Sequence, residues 1–197
     1  YIGDMTVPGM LHAAVLRSPH AHAVIAAIDT VEALAAPGVH AVITGAQAAE
    51  LVDPLPDFGP DPAKHTWRCL AVDKVRYVGE GVAVVVADSR YLAEDALGLI
   101  EVEYEPLPAV VDPERALDEG APLVHDPLGS NCAYERTFDF GEVERDFAEA
   151  DLVVIDRLRW HRSGGQLLET VGAIADVDPA TGDVTVHTNS LSFTSYL

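Results

Sequence analysis

The sequence predicts a fold that mixes helices and strands, α+β or α/β, and three observations carry that prediction. Runs rich in β-branched residues alternate with short helix signals from Met10 to Tyr104. One stretch, Arg90–Ile100, repeats apolar residues at helical spacing directly behind an Asp88-Ser89 cap. The last third reads as extended segments, two of them joined by Asp178–Asp183, where proline comes early and glycine late as a tight hairpin loop needs. At 49 % apolar and 22 % charged residues, a wholly disordered chain is excluded.

Taken in order, Met10–Leu16 and Ala23–Ile28 read as strands joined through Ser18-Pro19-His20, a turn in which proline fixes φ. Thr30 can cap a short helix, Val31–Ala36, ended by Pro37-Gly38. Val39–Ile43 is a β-branched strand and Gly45–Leu51 a short helix. Val52–Ala63 holds four prolines and predicts an irregular loop. Arg76–Val78 and the apolar run Val82–Ala87 read as strands, the second buried on both faces. In the helix over Arg90–Ile100, Leu92, Ala96 and Leu99 share one face, with Glu94 and Asp95 on the other. Glu101–Tyr104 follows as a strand until Pro106 and Pro108 stop it. Pro113–Asn131, rich in Pro, Gly, Asp and Glu with one helical turn near Glu114–Leu117, is either an extended linker or a strap packed over a neighbour. Glu142–Ala150 is an amphipathic helix with Val143 and Phe147 on one face. The strands Leu152–His161, Val171–Val177 and Val184–Thr188 complete the series.

A net charge of −20 over 197 residues opposes nucleic-acid binding and docking on anionic lipid, because phosphate would be repelled. No apolar run reaches the roughly 20 residues of a membrane helix, and no secretion signal opens the chain. The two cysteines, Cys69 and Cys132, are too few and too far apart for an iron–sulfur cluster or a cysteine-rich zinc site. They read as buried or idle thiols of a reducing cytosol, with a disulfide as the alternative. The absent initiator Met and the ending at Ser195-Tyr196-Leu197 suggest a piece of a longer polypeptide.

Individual residues point weakly to chemistry. His20 and His22 could both ligate a metal if they pointed the same way, as alternate residues of a strand do, but two ligands do not make a metal site, and turn residues bonding to backbone is the simpler reading. Asp176–Asp183 resembles a calcium loop only superficially, lacking the twelve-residue register and the closing Glu, so a solvated hairpin tip is expected. Gly164-Gly165 before Gln166 would let backbone N–H groups approach an anion, with flexible connection as the default. Nothing in the spacing selects a general acid, a general base or an activated nucleophile, and no P-loop, G-x-S-x-G or G-x-G-x-x-G is present.

Longer strings say more. Pro8–His22, with Arg17-Ser18-Pro19-His20-Ala21-His22 at its end, resembles the opening of the large, molybdenum-binding subunit of the xanthine dehydrogenase, aldehyde oxidase and aerobic carbon monoxide dehydrogenase family. The resemblance continues through Pro37-Gly38-Val39, Asp73–Glu80, Ala93–Ala96 and Glu101–Pro108. It extends to Asn131–Tyr134, Gly141-Glu142-Val143, Leu168-Glu169-Thr170 and Val186–Asn189. It implies an α+β architecture: an α/β hammerhead domain at 1–115, a linker and short helix at 116–150, and the first strands of a molybdopterin-binding domain at 151–197.

The resemblance further implies a cytoplasmic oxidoreductase that hydroxylates or oxidises a small substrate at a molybdopterin centre, with water as oxygen source. FAD-binding and iron–sulfur subunits or domains would be its partners in an oligomeric complex, with no nucleic acid or membrane. The family's glycine-rich G-G-G-F-G loop is not in this sequence, and its late base glutamate would lie beyond it, so this stretch alone is expected to be inactive and free of cofactor. The family commonly has a glutamine near molybdenum where this chain has Asn189, which keeps the amide and loses a methylene; Asn189 is therefore the candidate cofactor-binding residue, with a strand-end Asn stabilising a turn as the alternative. No residue is assigned a catalytic or metal-ligating role, and Glu169 is expected to be a structural carboxylate bonded to backbone or to Arg157 or Arg159. A second departure is Gly81, where the family usually has proline. Exposed apolar area is expected on Leu152–Ile155 and Leu191–Leu197. A different class of function, a free-standing acidic adaptor domain that binds a protein, stands as the alternative.

Overall fold

The computed structural model describes residues 1–55, 67–132, 135–159 and 168–189. In chain order its elements are β1 (His12–Arg17), β2 (Ala23–Asp29), α1 (Val31–Ala35), β3 (Val39–Thr44), α2 (Gly45–Leu51), β4 (Lys74–Val75), β5 (Gly81–Ala87), α3 (Arg90–Leu97), β6 (Glu101–Pro106), α4 (Val143–Glu149), β7 (Ala173–Val177) and β8 (Val184–Thr188). Every pairing among these strands is antiparallel, which resolves the class as α+β. The chain divides into two compact units, Pro8–Tyr134 and a second made of Tyr1–Val7 with Glu135–Leu197.

The larger unit holds two three-stranded sheets, ordered β1-β5-β3 and β4-β2-β6. The apolar run expected to be buried on both faces is β5, the central strand of the first sheet, although its neighbours are antiparallel. Its alternation separates two cores. Ala83, Val85 and Ala87 join Ala14, Ala33, Ala93 and Ala96 in one cluster, while Val82 joins Ala23, Ala71 and Val75 in the other.

The first cluster is dominated by alanine, and this corrects the expected face of α3. Ala93 and Ala96 are buried and Leu97 packs beside them, whereas Leu92 and Leu99 are both more than a third exposed. Small side chains let the helix approach the sheet closely, so the buried stripe runs 93, 96, 97, 100 and the larger leucines flank it. Ser89 caps the helix, its Oγ accepting from the Leu92 N–H at 3.3 Å.

Local signals succeed unevenly. Thr44 forms a capping box with Gln47 at α2. Thr30, by contrast, makes no side-chain cap at α1; Asp29 Oδ1 instead accepts from the Val31 N–H at 2.9 Å. The strand expected at Arg76–Val78 is instead the two-residue β4, because the Arg76 N–H is taken by the Glu80 carboxylate and the chain turns at Gly79, where φ is +91°. Gly45 lies against the buried loop at Ala71, where an ideal Cβ would stand 1.7 Å from the Ala71 carbonyl oxygen. At Gly81, Leu70 and Val15 come within 3.0 and 3.2 Å of where a Cβ would stand, so this position is closely surrounded.

Of the two readings of Pro113–Asn131, the strap is the one observed. A turn at residues 113–117 and a 3-10 turn over Asp126–Leu128 shape it. The Asn131 amide gathers it, accepting from the Val124 N–H at 2.9 Å and donating to the Ala116 and Pro122 carbonyls. Lys74 pairs with Asp126, and Arg76 Nε donates to the Val124 carbonyl at 3.2 Å.

In the smaller unit, α4 leaves Val143 and Phe147 exposed. The strand expected at Leu152–His161 does not form over residues 152–159, which have no strand partner among the described residues. The apolar exposure expected there is present: Leu152, Val154 and Ile155 are all exposed, Ile155 by 92 %. The expectations that fall on 56–63, on 160–161 at the end of that strand, on Gly164-Gly165-Gln166 and on Leu191–Leu197 lie outside the described residues.

Candidate functional site

The candidate site is the end of the β7–β8 hairpin opposite its loop, where Asn189 stands. The register pairs Ala173 with Thr188 and Val177 with Val184, so the two chain ends emerge side by side at Gly172 and Asn189. Alternation of apolar and polar residues supports the pairing, and the Asp178–Asp183 loop closes it. In that loop the Asp178 N–H donates to the Asp183 carbonyl at 2.9 Å and Gly182 adopts φ +79°. The Asp178 carboxylate accepts from the Ala180 N–H and the Asp183 carboxylate from the Thr181 hydroxyl. The acidic loop is therefore an exposed hairpin tip whose carboxylates hold the turn.

At the opposite end three polar contacts lock the strand ends. Asn189 Oδ1 accepts from the Gly172 N–H at 3.0 Å, and Nδ2 donates to the Thr170 carbonyl at 2.9 Å. Thr188 Oγ1 donates to the Gly172 carbonyl at 3.0 Å. Beside them Glu169 Oε1 accepts from the Ile2 N–H, which makes this carboxylate a tie to the N-terminal segment. Ile2 Cγ2 lies 2.8 Å from where a Gly172 Cβ would stand, so only glycine fits there without displacement. A neutral amide offers up to four hydrogen bonds, and Asn189 makes two of them with described residues. It can orient a polar group but cannot transfer a proton or attack a carbon.

The histidine pair is not a metal site in this structure. His22 is buried, and its Nδ1 donates to the Pro108 carbonyl at 2.7 Å; the His20 ring packs tilted against Tyr104 with ring centroids 4.8 Å apart. Among the described residues no three His, Cys, Asp or Glu side chains converge on a metal position. Cys69 is exposed and Cys132 half-buried, and no disulfide joins them.

Two polar arrangements escape the sequence reading. Ser18, buried, bonds both the N–H and the carbonyl of His20 and hydrogen-bonds Tyr104, whose phenol burial pushes above its usual range. Asp126 is held below the usual carboxylate range by its hydrogen bond to Lys74 and that ammonium's charge. Neither has a local signature; only the density of polar residues in the Arg17–His22 string marks the first.

Residues 1–108 match the family described as aldehyde oxidase and xanthine dehydrogenase, a/b hammerhead domain, and residues 124–196 match the molybdopterin cofactor-binding domain. The carbon monoxide dehydrogenase large chain of Afipia carboxidovorans is 38 % identical over 94 % of this chain and 24 % of its own length. The 6-hydroxypseudooxynicotine dehydrogenase complex subunit gamma of Paenarthrobacter nicotinovorans is 38 % identical over 96 % of this chain and 25 % of its own. The crystal structure of quinoline 2-oxidoreductase from Pseudomonas putida 86 superposes with a TM-score of 0.84 at 41 % identity, covering 95 % of this chain and 24 % of that one. The chain thus spans about a quarter of the length of the relatives it matches.

Proposed function

This chain belongs to the aldehyde oxidase and xanthine dehydrogenase family, and on that premise we propose that it is the hammerhead portion and the beginning of the cofactor-binding domain of a molybdenum-dependent oxidoreductase large subunit. The whole subunit would oxidise or hydroxylate a small substrate at a molybdopterin centre, with water supplying the oxygen. The observation that carries the reading is the succession of the two family matches along one chain. FAD-binding and iron–sulfur partners are proposed from the family resemblance, and a relative named as a subunit of a dehydrogenase complex supports an assembly. A cytoplasmic location is proposed from the family resemblance and from two cysteines not joined by a disulfide; no described helix is long and apolar enough to cross a membrane.

The described residues do not by themselves fit a pterin-held metal. They supply no convergent ligand set, and the one residue proposed to face the cofactor, Asn189, has half of its amide bonded to its own hairpin. No reaction step is therefore assigned to them. Their proposed role is to frame: the hammerhead sheets provide a rigid wall, and the locked end of β7–β8 positions Asn189, whose second N–H and second lone pair are not used by described residues. We keep 1–115, 116–150 and 151–197 as the proposed domain divisions; the match at 1–108 supports the first, and the cofactor-domain match begins at 124, inside the proposed linker.

Metal analysis tests this reading. Purified from a host that makes the molybdenum cofactor, this 197-residue chain is expected to carry no stoichiometric molybdenum, and a longer subunit containing it is expected to carry it. In that longer subunit Asn189→Ala should lower the molybdenum retained after dialysis, while Asn189→Gln should keep it. Tight cofactor binding by the chain alone, or a longer subunit devoid of molybdenum, would overturn the proposal.

A further inference from the structure

We infer that Leu107–Asn131 is a strap that closes across one end of the sheet β4-β2-β6 on polar fastenings and opens from them as a local unit while both sheets stay folded. Its path supplies the first argument. Ala23 pairs with Pro106 on one side and Val75 on the other, so these three residues form a row at one end of that sheet. The strap leaves β6 at this row. It is held next at β2, where the His22 carbonyl accepts from the Leu107 N–H at 2.9 Å and His22 Nδ1 donates to the Pro108 carbonyl at 2.7 Å. It is held last at β4, through the Lys74–Asp126 pair and the Arg76 Nε bond to Val124.

The second argument is what the strap lacks. No residue from Leu107 to Asn131 is buried, and none belongs to either core cluster. Burial of apolar area sets the stability of a cooperative unit, so this segment sits at the low end of the opening scale. What keeps it closed is mainly polar, and its chief ionic fastening joins a largely buried Lys74 side chain, 14 % exposed, to an Asp126 that is 62 % exposed. An ion pair with one partner so open to solvent is weakened by salt.

A third observation lies at the first fastening. His22 Nε2 is buried and has no hydrogen-bond partner among the described residues, the one buried side-chain polar atom there of which this is true. His22 therefore fastens the strap through Nδ1 alone, its Nε2 adding no hydrogen bond to described residues.

Hydrogen exchange read by mass spectrometry on the full chain tests the inference. Raising the salt concentration on the unmodified chain, and the substitutions Asp126→Asn and Lys74→Met at low salt, should each speed exchange in peptides covering Leu107–Leu128 by roughly threefold to tenfold. Peptides covering β5, Gly81–Ala87, should keep their rates and serve as the internal reference. Equal acceleration in β5 would show that the strap is an integral part of the cooperative fold, and no acceleration anywhere would show that the ion pair does not fasten it; either result overturns the inference. Should a variant fail to fold, the salt series on the unmodified chain decides alone.

Discussion

Replacing Gly45 by alanine is the perturbation that probes the packing most sharply, because two effects of known size oppose each other there. Gly45 is the first residue of α2, behind the Thr44–Gln47 capping box. In an open helical position alanine would be favoured over glycine by about 1 kcal/mol. Here the added Cβ would stand 1.7 Å from the Ala71 oxygen and 2.5 Å from the Ala71 carbonyl carbon. Carbon contacts become comfortable at about 3.5 Å, so a backbone shift of somewhat more than ~1 Å is required. Ala71 yields at high cost: it is 5 % exposed, its N–H donates to the Gly81 carbonyl at 2.8 Å, and it belongs to the core cluster with Ala23, Val75 and Val82. Overpacking that side chains can absorb costs about 1–3 kcal/mol; a backbone obstacle places Gly45→Ala at or above the top of that range, about 3 kcal/mol net of helix propensity. Urea unfolding followed by far-ultraviolet circular dichroism should show the loss as a lowered midpoint, and thermal melting as a fall of roughly 10 °C. Gly98→Ala is the matched control, since φ is −69° there and the nearest atom to the new Cβ is 3.4 Å away; it should stay within about 1 kcal/mol of the parent chain. A Gly45→Ala chain as stable as the Gly98→Ala chain would refute the close approach of α2 to the Ala71 loop.

Burial raises the Tyr104 pKa above its ordinary value of 10.0, so the folded chain holds the phenol proton more tightly than the unfolded chain does. The associated stability is fully present below pH 10.0 and declines as pH rises past it; Tyr104→Phe should flatten that alkaline decline in the urea midpoint, and coincident profiles would show that the ring is not buried as described. At α1, Asp29→Ala should cost about 0.5–1 kcal/mol while Thr30→Ala leaves stability within about 0.5 kcal/mol of the parent chain, because Asp29 and not Thr30 accepts from the Val31 N–H. The reverse ranking in denaturant unfolding would restore the cap that the sequence suggests.

Several elements are legible because their signals are local. Gly45–Leu51 and Val184–Thr188 are placed to the residue, the second by β-branched alternation next to a proline–glycine loop. The run Val82–Ala87 is recognisably interior from its unbroken apolar character. Periodicity points to the wrong face of α3 because it cannot say whether leucine or alanine is wanted at a contact; the closeness of the sheet decides that. Leu152–His161 resembles a strand in composition, but over residues 152–159 it has no strand neighbour among the described residues, and a strand exists only with one.

The candidate site divides the same way. Asn189 can be singled out from the string that ends β8, and the alternative role for it, steadying a strand end, describes two bonds it makes: to Gly172 and Thr170, seventeen and nineteen residues earlier in the chain. The sequence by itself determined the strand and helix periods, the Ser89 cap and the hairpin, since these follow from steric preference and hydrogen bonding within a few residues. Tertiary structure alone decided that Lys74 reaches Asp126 across 52 positions, that His22 meets Pro108 across 86, and that Ile2 meets Glu169 across 167. Contacts at such separations depend on where the fold brings distant segments together, and no local pattern of residues encodes that.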